Sequence, residues 1–200
     1  GGEGTAIKKF NDGVEESNGE FVVFLADDCE VEQGWLVQAY AHFKENFRDR
    51  GLVILNEGYW DGRMANHFFC SKNIRENLDG YIWYPGYKHC GADNELWGML
   101  KKIDLIEFCE NARIIHHHYC VQTRGTKAAK RDAIYKRIKE TVAPGRELLY
   151  KRQKELDFGP KVAAFCVTYN EEDRIEEFVK ENLKYVKEVY IVDNKSIDKT

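Results

Sequence analysis

Two hundred residues, 43% apolar and 32% charged, can bury a full core and are ordinary for a soluble globular protein. A formal charge of −4 gives no electrostatic reason to expect nucleic acid as a partner. No apolar run approaches the ~18 residues of a membrane span, no signal peptide is visible, and the six cysteines contain no CxxC pair. The expectation is therefore no transmembrane segment, no structural zinc site, and reduced thiols in a cytoplasmic protein. A Gly-rich start without Met and an end at Thr200 inside an apparent loop read as an excerpt of a longer polypeptide.

In chain order, TAIKKFNDGVEES (residues 5–17) spaces Ala6, Ile7, Phe10 and Val14 as a helix does, and Ser17-Asn18-Gly19 provides a stop. Phe21 to Leu25 follows as five consecutive apolar residues, the pattern of an inner parallel strand buried on both faces. Asp27 and Asp28 stand at its carboxyl end, where open α/β sheets bind ligands. Two hard oxygen donors there suit Mg²⁺ or Mn²⁺ carrying a phosphate; the competing reading is a turn leading into a helix. That helix spans Gln33 to Phe47, with Trp35, Leu36, Ala39, Tyr40 and Phe43 repeating at three and four. Leu52 to Leu55 is a further short strand.

Residues 56–92 are rich in aromatics, Tyr59, Trp60, Trp83 and Tyr87 among them, which serve either as core or as platforms for a sugar ring. In GADNELWGMLKKIDL (residues 91–105), Asp93 falls at a helix N-terminus, with Leu96, Leu100 and Ile103 facing inward. Asp93 is either an N-cap or a general base presented to a hydroxyl. ARIIHHHY (residues 112–119) is a strand ending in three histidines, with His116 and His118 on one side and His117 on the other. One His completing a site begun by Asp28 is chemically reasonable for Mn²⁺.

From Thr126 to Phe158 the sequence is charged with sparse apolar residues, reading as two helices joined at Pro144-Gly145. At Lys161 the character changes. VAAFCVTYN is a strand, EEDRIEEFVKENLKYV an amphipathic helix, and EVYIVDNKSIDKT a second strand ending in Asp193 and a polar loop. This β-α-β opens a nucleotide-binding fold, yet no GxGxxG follows its first strand, which excludes a Rossmann dinucleotide site.

Taken together these segments resemble the family-two, inverting nucleotide-sugar glycosyltransferases of the GT-A fold. VTYNEEDRIEEFVKENLKYVKEVYIVDNKSIDKT is similar to that family's amino-terminal motif. NDGVEESNGEFVVFLADDCEVEQGWL is similar to its acidic metal motif, GADNELWGML to the motif supplying the base, and RIIHHH to the strand giving the last metal ligand. The resemblance implies an α/β, GT-A-like, mixed but mainly parallel sheet flanked by helices, incomplete or permuted. It implies a carboxyl-terminal domain portion at 1–125, a helical linker at 126–160 and the amino-terminal β-α-β of a second domain at 161–200. The acidic motif departs from the family in having Ala26 where many members carry a first carboxylate. Phe10 stands at a position that is often basic.

The resemblance further implies a metal-dependent hexosyltransferase with Asp28, His116 and His118 as ligands of Mn²⁺ or Mg²⁺. Asp93 is then the base with Glu95 as backup, and Asp27, Tyr169, Asn170, Glu171 and Asp193 contact the nucleotide. The donor would be a UDP- or GDP-linked sugar, and the acceptor a glycan, a lipid-linked glycan or a protein. Two rivals are a sugar- or nucleotide-binding module without turnover and a metal-dependent hydrolase built on Asp27, Asp28 and the histidines. If residues 161–200 complement residues 1–125 as a permuted half, the strands at 162–168 and 21–25 should share a sheet.

Overall fold

The computed structural model describes residues 5–118, 133–157, 163–184 and 188–199. Cys120, the start of the charged segment at 126–132, and residues 158–162 lie outside these. The chain divides into two compact units, Gly1–Arg152 and Gln153–Thr200.

The first unit is α/β with a mixed five-stranded sheet. Its elements are α1 (Ala6–Glu16), β1 (Phe21–Phe24), β2 (Cys29–Val31), α2 (Trp35–Asn46), β3 (Leu52–Asn56), β4 (Phe68–Ser71), α3 (Ala92–Lys102) and β5 (Ile106–His116). The fourth helix, α4 (Ala133–Leu156), begins in this unit and ends in the second. The strand order is β1-β4-β3-β5-β2. β4 runs antiparallel to both β1 and β3, β3 runs parallel to β5, and β2 is antiparallel to β5.

This arrangement corrects two expectations. The pairings are mostly antiparallel, because β4 inserts in reverse between β1 and β3, although β1, β3 and β5 point the same way. The run at Phe21 is also an edge strand rather than an inner parallel one, and Val23 is exposed. The doubly buried strand is β3. Leu52 and Ile54 pack with Ile7, Val14, Phe68, Leu96 and Leu100 on one face. Val53 and Leu55 pack with Ala39, Phe43, Phe69 and Ile114 on the other. Period-two alternation thus places α1 and α3 on one side of the sheet and α2 on the other. Apolar runs of equal length in β1 and β3 differ in fate only by their place in the strand order.

Helix boundaries differ in instructive ways. Leu36 and Tyr40 on α2, and Ile103 just past α3, are exposed although the periodicity predicts them buried. Gly91, with φ of 100°, forms the N-cap of α3, so Asp93 is the second residue of the helix rather than its cap. Instead of two helices joined at Pro144-Gly145, α4 runs unbroken through Pro144. Proline removes one backbone hydrogen bond there. Tertiary contact offsets the loss: Leu148 and Leu149 pack on the first core cluster, and Gly145 lies so close to the Cys90 carbonyl that a Cβ would collide with it.

The second unit contains β6 (Ala163–Thr168), α5 (Ile175–Asn182) and β7 (Glu188–Asp193). β6 and β7 pair in parallel, as a β-α-β crossover requires, with Thr168 opposite Asp193. Among the described residues they form a two-stranded sheet. No helix among the described residues is long and apolar enough to cross a membrane.

Candidate metal centre

Because β1, β3 and β5 run the same way, their carboxyl ends gather at one end of the sheet. Asp27, Asp28 and Cys29 follow β1, Glu57 follows β3, and His116 closes β5. β4 runs in the opposite sense, so His67, one residue before it, arrives at the same end. Register completes the placement. Cys29 is the direct partner of His116 across β2 and β5, and Leu55 N–H donates to the His67 carbonyl at 3.0 Å. An irregularity in β5 makes this register reachable. Pairing with β3 jumps from Leu55–Cys109 to Asn56–Arg113, and Asn56 Nδ2 donates to the Glu110 carbonyl across the bulge.

The result is a triangle of Cys29, His67 and His116 whose donor atoms lie within 4.8 Å of one another. Cys29 Sγ is 3.3 Å from His67 Nε2. Beneath the triangle sits Glu57, 4% exposed. Its Oε2 is 2.7 Å from His116 Nδ1 and 3.3 Å from His67 Nδ1, the second contact being longer and less well directed. Asn66 Nδ2 donates to Oε1 at 2.6 Å. Burial alone would raise the Glu57 carboxyl, but the bonds from His116, His67 and Asn66 outweigh it and hold its pKa at about 2. An ionised carboxylate only accepts, so it favours the Nδ1–H tautomer of both rings and leaves each Nε2 lone pair facing away from Glu57.

A pH effect follows. Glu57 is more acidic in the fold than its ordinary value of 4.5, so unfolding takes up its proton first as pH falls. Its stabilising effect is complete above pH 4.5 and is lost progressively down to about pH 2. Glu57→Gln is expected to flatten this part of the stability profile, measured by denaturant unfolding at several pH values. An acid limb unchanged in the variant would refute the assignment.

Of the residues expected from the sequence, Asp28 Oδ1 lies 3.3 Å from His116 Nε2, and this buried oxygen has no hydrogen bond of acceptable geometry. His118 shares a side with His116, ring centroids 5.2 Å apart, and burial followed by the neighbouring His116 lowers its pKa. His117 points the other way, with Nε2 3.0 Å from Glu30. Asp27 is exposed in the turn. The Cys29 thiol is pushed up to about 12, by burial first and then by Asp28. One thiol, two imidazoles and a single carboxylate make a poor set for Mg²⁺, which takes oxygen ligands. They fit a borderline divalent ion.

Asp93 and Glu95 stand on α3, and neither hydrogen-bonds to a member of the triangle. Burial raises the Asp93 carboxyl, while the Asn94 N–H, which donates to it at 3.0 Å, pulls the other way. Glu95 is engaged: Arg152 Nε lies 2.7 Å from both its oxygens, and Tyr87 OH donates to Oε2 at 2.7 Å. A carboxylate so occupied is a poor base, which counts against its role as backup.

In the second unit Tyr169 is exposed after β6. Asn170, at φ 54°, ties the two loops together: its N–H donates to Ser196 Oγ and its Oδ1 accepts from Ile197 N–H, each at 2.9 Å. Glu171 accepts through its carbonyl from Arg174 and Ile175, and the Asp193 carboxylate accepts from Ser196. Asn170 and Asp193 thus hold the two strand-end loops in register with each other.

The triangle was only partly legible from sequence. Cys29 adjoins Asp28 and could have been weighed as a ligand, but His67 and Glu57 lie in an aromatic stretch with no local signal. The chain matches no protein-family model and no curated protein. Class is therefore defined by fold and site: an α/β unit carrying a Cys-His-His cluster at the carboxyl ends of its co-directed strands.

Proposed function

We propose that the first unit is the metal, base and acceptor side of a GT-A-like inverting glycosyltransferase, which moves a sugar from a nucleotide-diphosphate donor to a hydroxyl acceptor. One observation carries the reading. Asp28 and His116, each expected as a metal ligand by resemblance, stand 3.3 Å apart at the end of the sheet where such folds bind ligands. A divalent ion held there supplies positive charge for the leaving diphosphate.

The chain's own residues do the rest. The acceptor oxygen bonds to the anomeric carbon as the bond to the diphosphate breaks, and the bonding pair leaves with the phosphate. Asp93 takes the acceptor's proton. Its burial makes it a stronger base than an exposed aspartate, provided it is ionised when the acceptor arrives. Glu57, by fixing the two rings, orients the ligands without touching substrate. The exposed Tyr169 and the loops tied by Asn170 are the corresponding nucleotide side of a second domain.

Calorimetric titration of UDP and GDP into the chain, with and without a divalent ion, tests this. The expected result is ion-dependent binding that Asp28→Ala abolishes. Binding of neither nucleotide under any ion, or equal binding by the variant, would refute the reading.

A further inference from the structure

We infer that Cys29, His67 and His116 together bind a thiophilic divalent ion of the Zn²⁺ class, with Asp28 as the fourth ligand. This deepens the donor site proposed above, and it rests on that reading only for what the ion does once bound.

Three observations converge on it. The donors come from separate stretches of chain, and strand register brings them together: Cys29 opposite His116, and His67 entering on the reversed strand. A tetrahedral ion with zinc–sulfur and zinc–nitrogen bonds of ordinary length separates those two ligand atoms by about 3.5 Å. Cys29 Sγ and His67 Nε2 are 3.3 Å apart, so this edge of the triangle already has the spacing the ion needs.

The second observation is the shared carboxylate. Metal-bound histidines commonly donate the other ring nitrogen to a carboxylate, which fixes the tautomer and raises ligand basicity. Here one buried Glu57 meets Nδ1 of both rings. A packing role explains a buried histidine with one partner; it does not explain two rings set on one carboxylate with both far nitrogens turned toward a thiol and a second carboxylate.

The third is the contact between Asp28 Oδ1 and His116 Nε2. With Nδ1 protonated toward Glu57, Nε2 offers a lone pair to a buried oxygen that has no hydrogen bond of its own. Two acceptors 3.3 Å apart need a proton or a metal ion between them. A divalent ion satisfies both and takes the sulfur and the second nitrogen as well.

Donor softness then chooses the ion. Thiolate and imidazole favour zinc, whereas Mg²⁺ and Mn²⁺ favour oxygen and would find one carboxylate here. Binding converts the thiol to thiolate: the sulfur pair forms the bond to the metal, and the proton passes to solvent. A four-ligand zinc can expand to five-coordinate, so a phosphate oxygen can join the ion while Asp28 stays bound.

Co²⁺ is the probe. Titrated into the reduced full chain, it should bind one equivalent, with a sulfur-to-cobalt charge-transfer band and the strong visible bands of a tetrahedral ion. One equivalent of Zn²⁺ should displace it and excess Mg²⁺ should not. Cys29→Ser should remove the charge-transfer band, while Cys90→Ser and Cys166→Ser keep it. Glu57→Gln should weaken Zn²⁺ binding about 10- to 100-fold. X-ray absorption of the unsubstituted zinc-loaded chain reads the ligands without a variant, and one sulfur beside nitrogens is expected.

A shell of oxygen and nitrogen alone, a charge-transfer band that survives Cys29→Ser, or tighter binding of Mn²⁺ than of Zn²⁺ would overturn the inference. The two proposals fail separately. Mn²⁺-dependent nucleotide binding without sulfur ligation leaves the transferase reading in place and removes this one. Sulfur-ligated zinc with no nucleotide binding does the reverse.

Discussion

On the glycosyltransferase reading proposed above, replacing Asp93 by Asn is expected to lower sugar transfer by about 10²- to 10⁴-fold, the usual contribution of a positioned general base, while leaving nucleotide binding intact. The substitution preserves shape and hydrogen bonding but removes the basic oxygen. Asp93 is the second residue of α3, and burial raises its pKa above that of an ordinary aspartate. The acid limb of the rate should therefore lie above the usual aspartate range and vanish in the variant. Paired calorimetry and single-turnover transfer measurements check both statements. A variant that transfers sugar at the parent rate would remove Asp93 from the mechanism, and loss of nucleotide binding in step with turnover would make it a structural residue.

The second large effect concerns the ion pair between α3 and α4. Glu95 and Arg152 are nearly fully buried, with side chains 4% and 10% exposed. Tyr87 OH donates to Glu95, and the guanidinium lies 3.4 Å above the Tyr84 ring. Arg152→Ala leaves a buried carboxylate with only the tyrosine, and is expected to cost about 3–5 kcal/mol. The double variant Glu95→Leu/Arg152→Met removes both charges and should recover most of that loss, because a buried pair gains little over apolar residues of similar size. Denaturant unfolding of the parent, single and double variants measures the difference. A single variant as stable as the parent would mean that the pair is not formed in solution.

Much of this protein was decided by local pattern. The period of Ile7, Phe10 and Val14 sets α1, that of Leu96 and Leu100 sets α3, and the apolar runs at 21, 52 and 163 set strands, because each element must hide one face or both. The alternation of His116, His117 and His118 was also legible, since a strand turns successive side chains to opposite sides. The acidic pair after β1 falls at the end of the sheet where Cys29, His67 and His116 gather.

Lateral order was not legible. Nothing in Phe21 to Leu25 distinguishes an edge strand from an inner one; its neighbours do, and they are drawn from residues far away in the chain. Pro144 likewise reads as a break until the packing of α4 holds the helix together across it. The triangle depends on these long-range choices most of all. Cys29 meets His116 through the β2–β5 register, His67 joins because β4 is reversed, and Glu57 lies under both rings because β3 is the central strand. Sequence alone determined which residues have the chemistry to bind a metal ion or accept a proton. Only the tertiary structure decided which of them share a site, because strand register and direction are set by how both faces of the sheet are buried, a property of the whole unit rather than of any one segment.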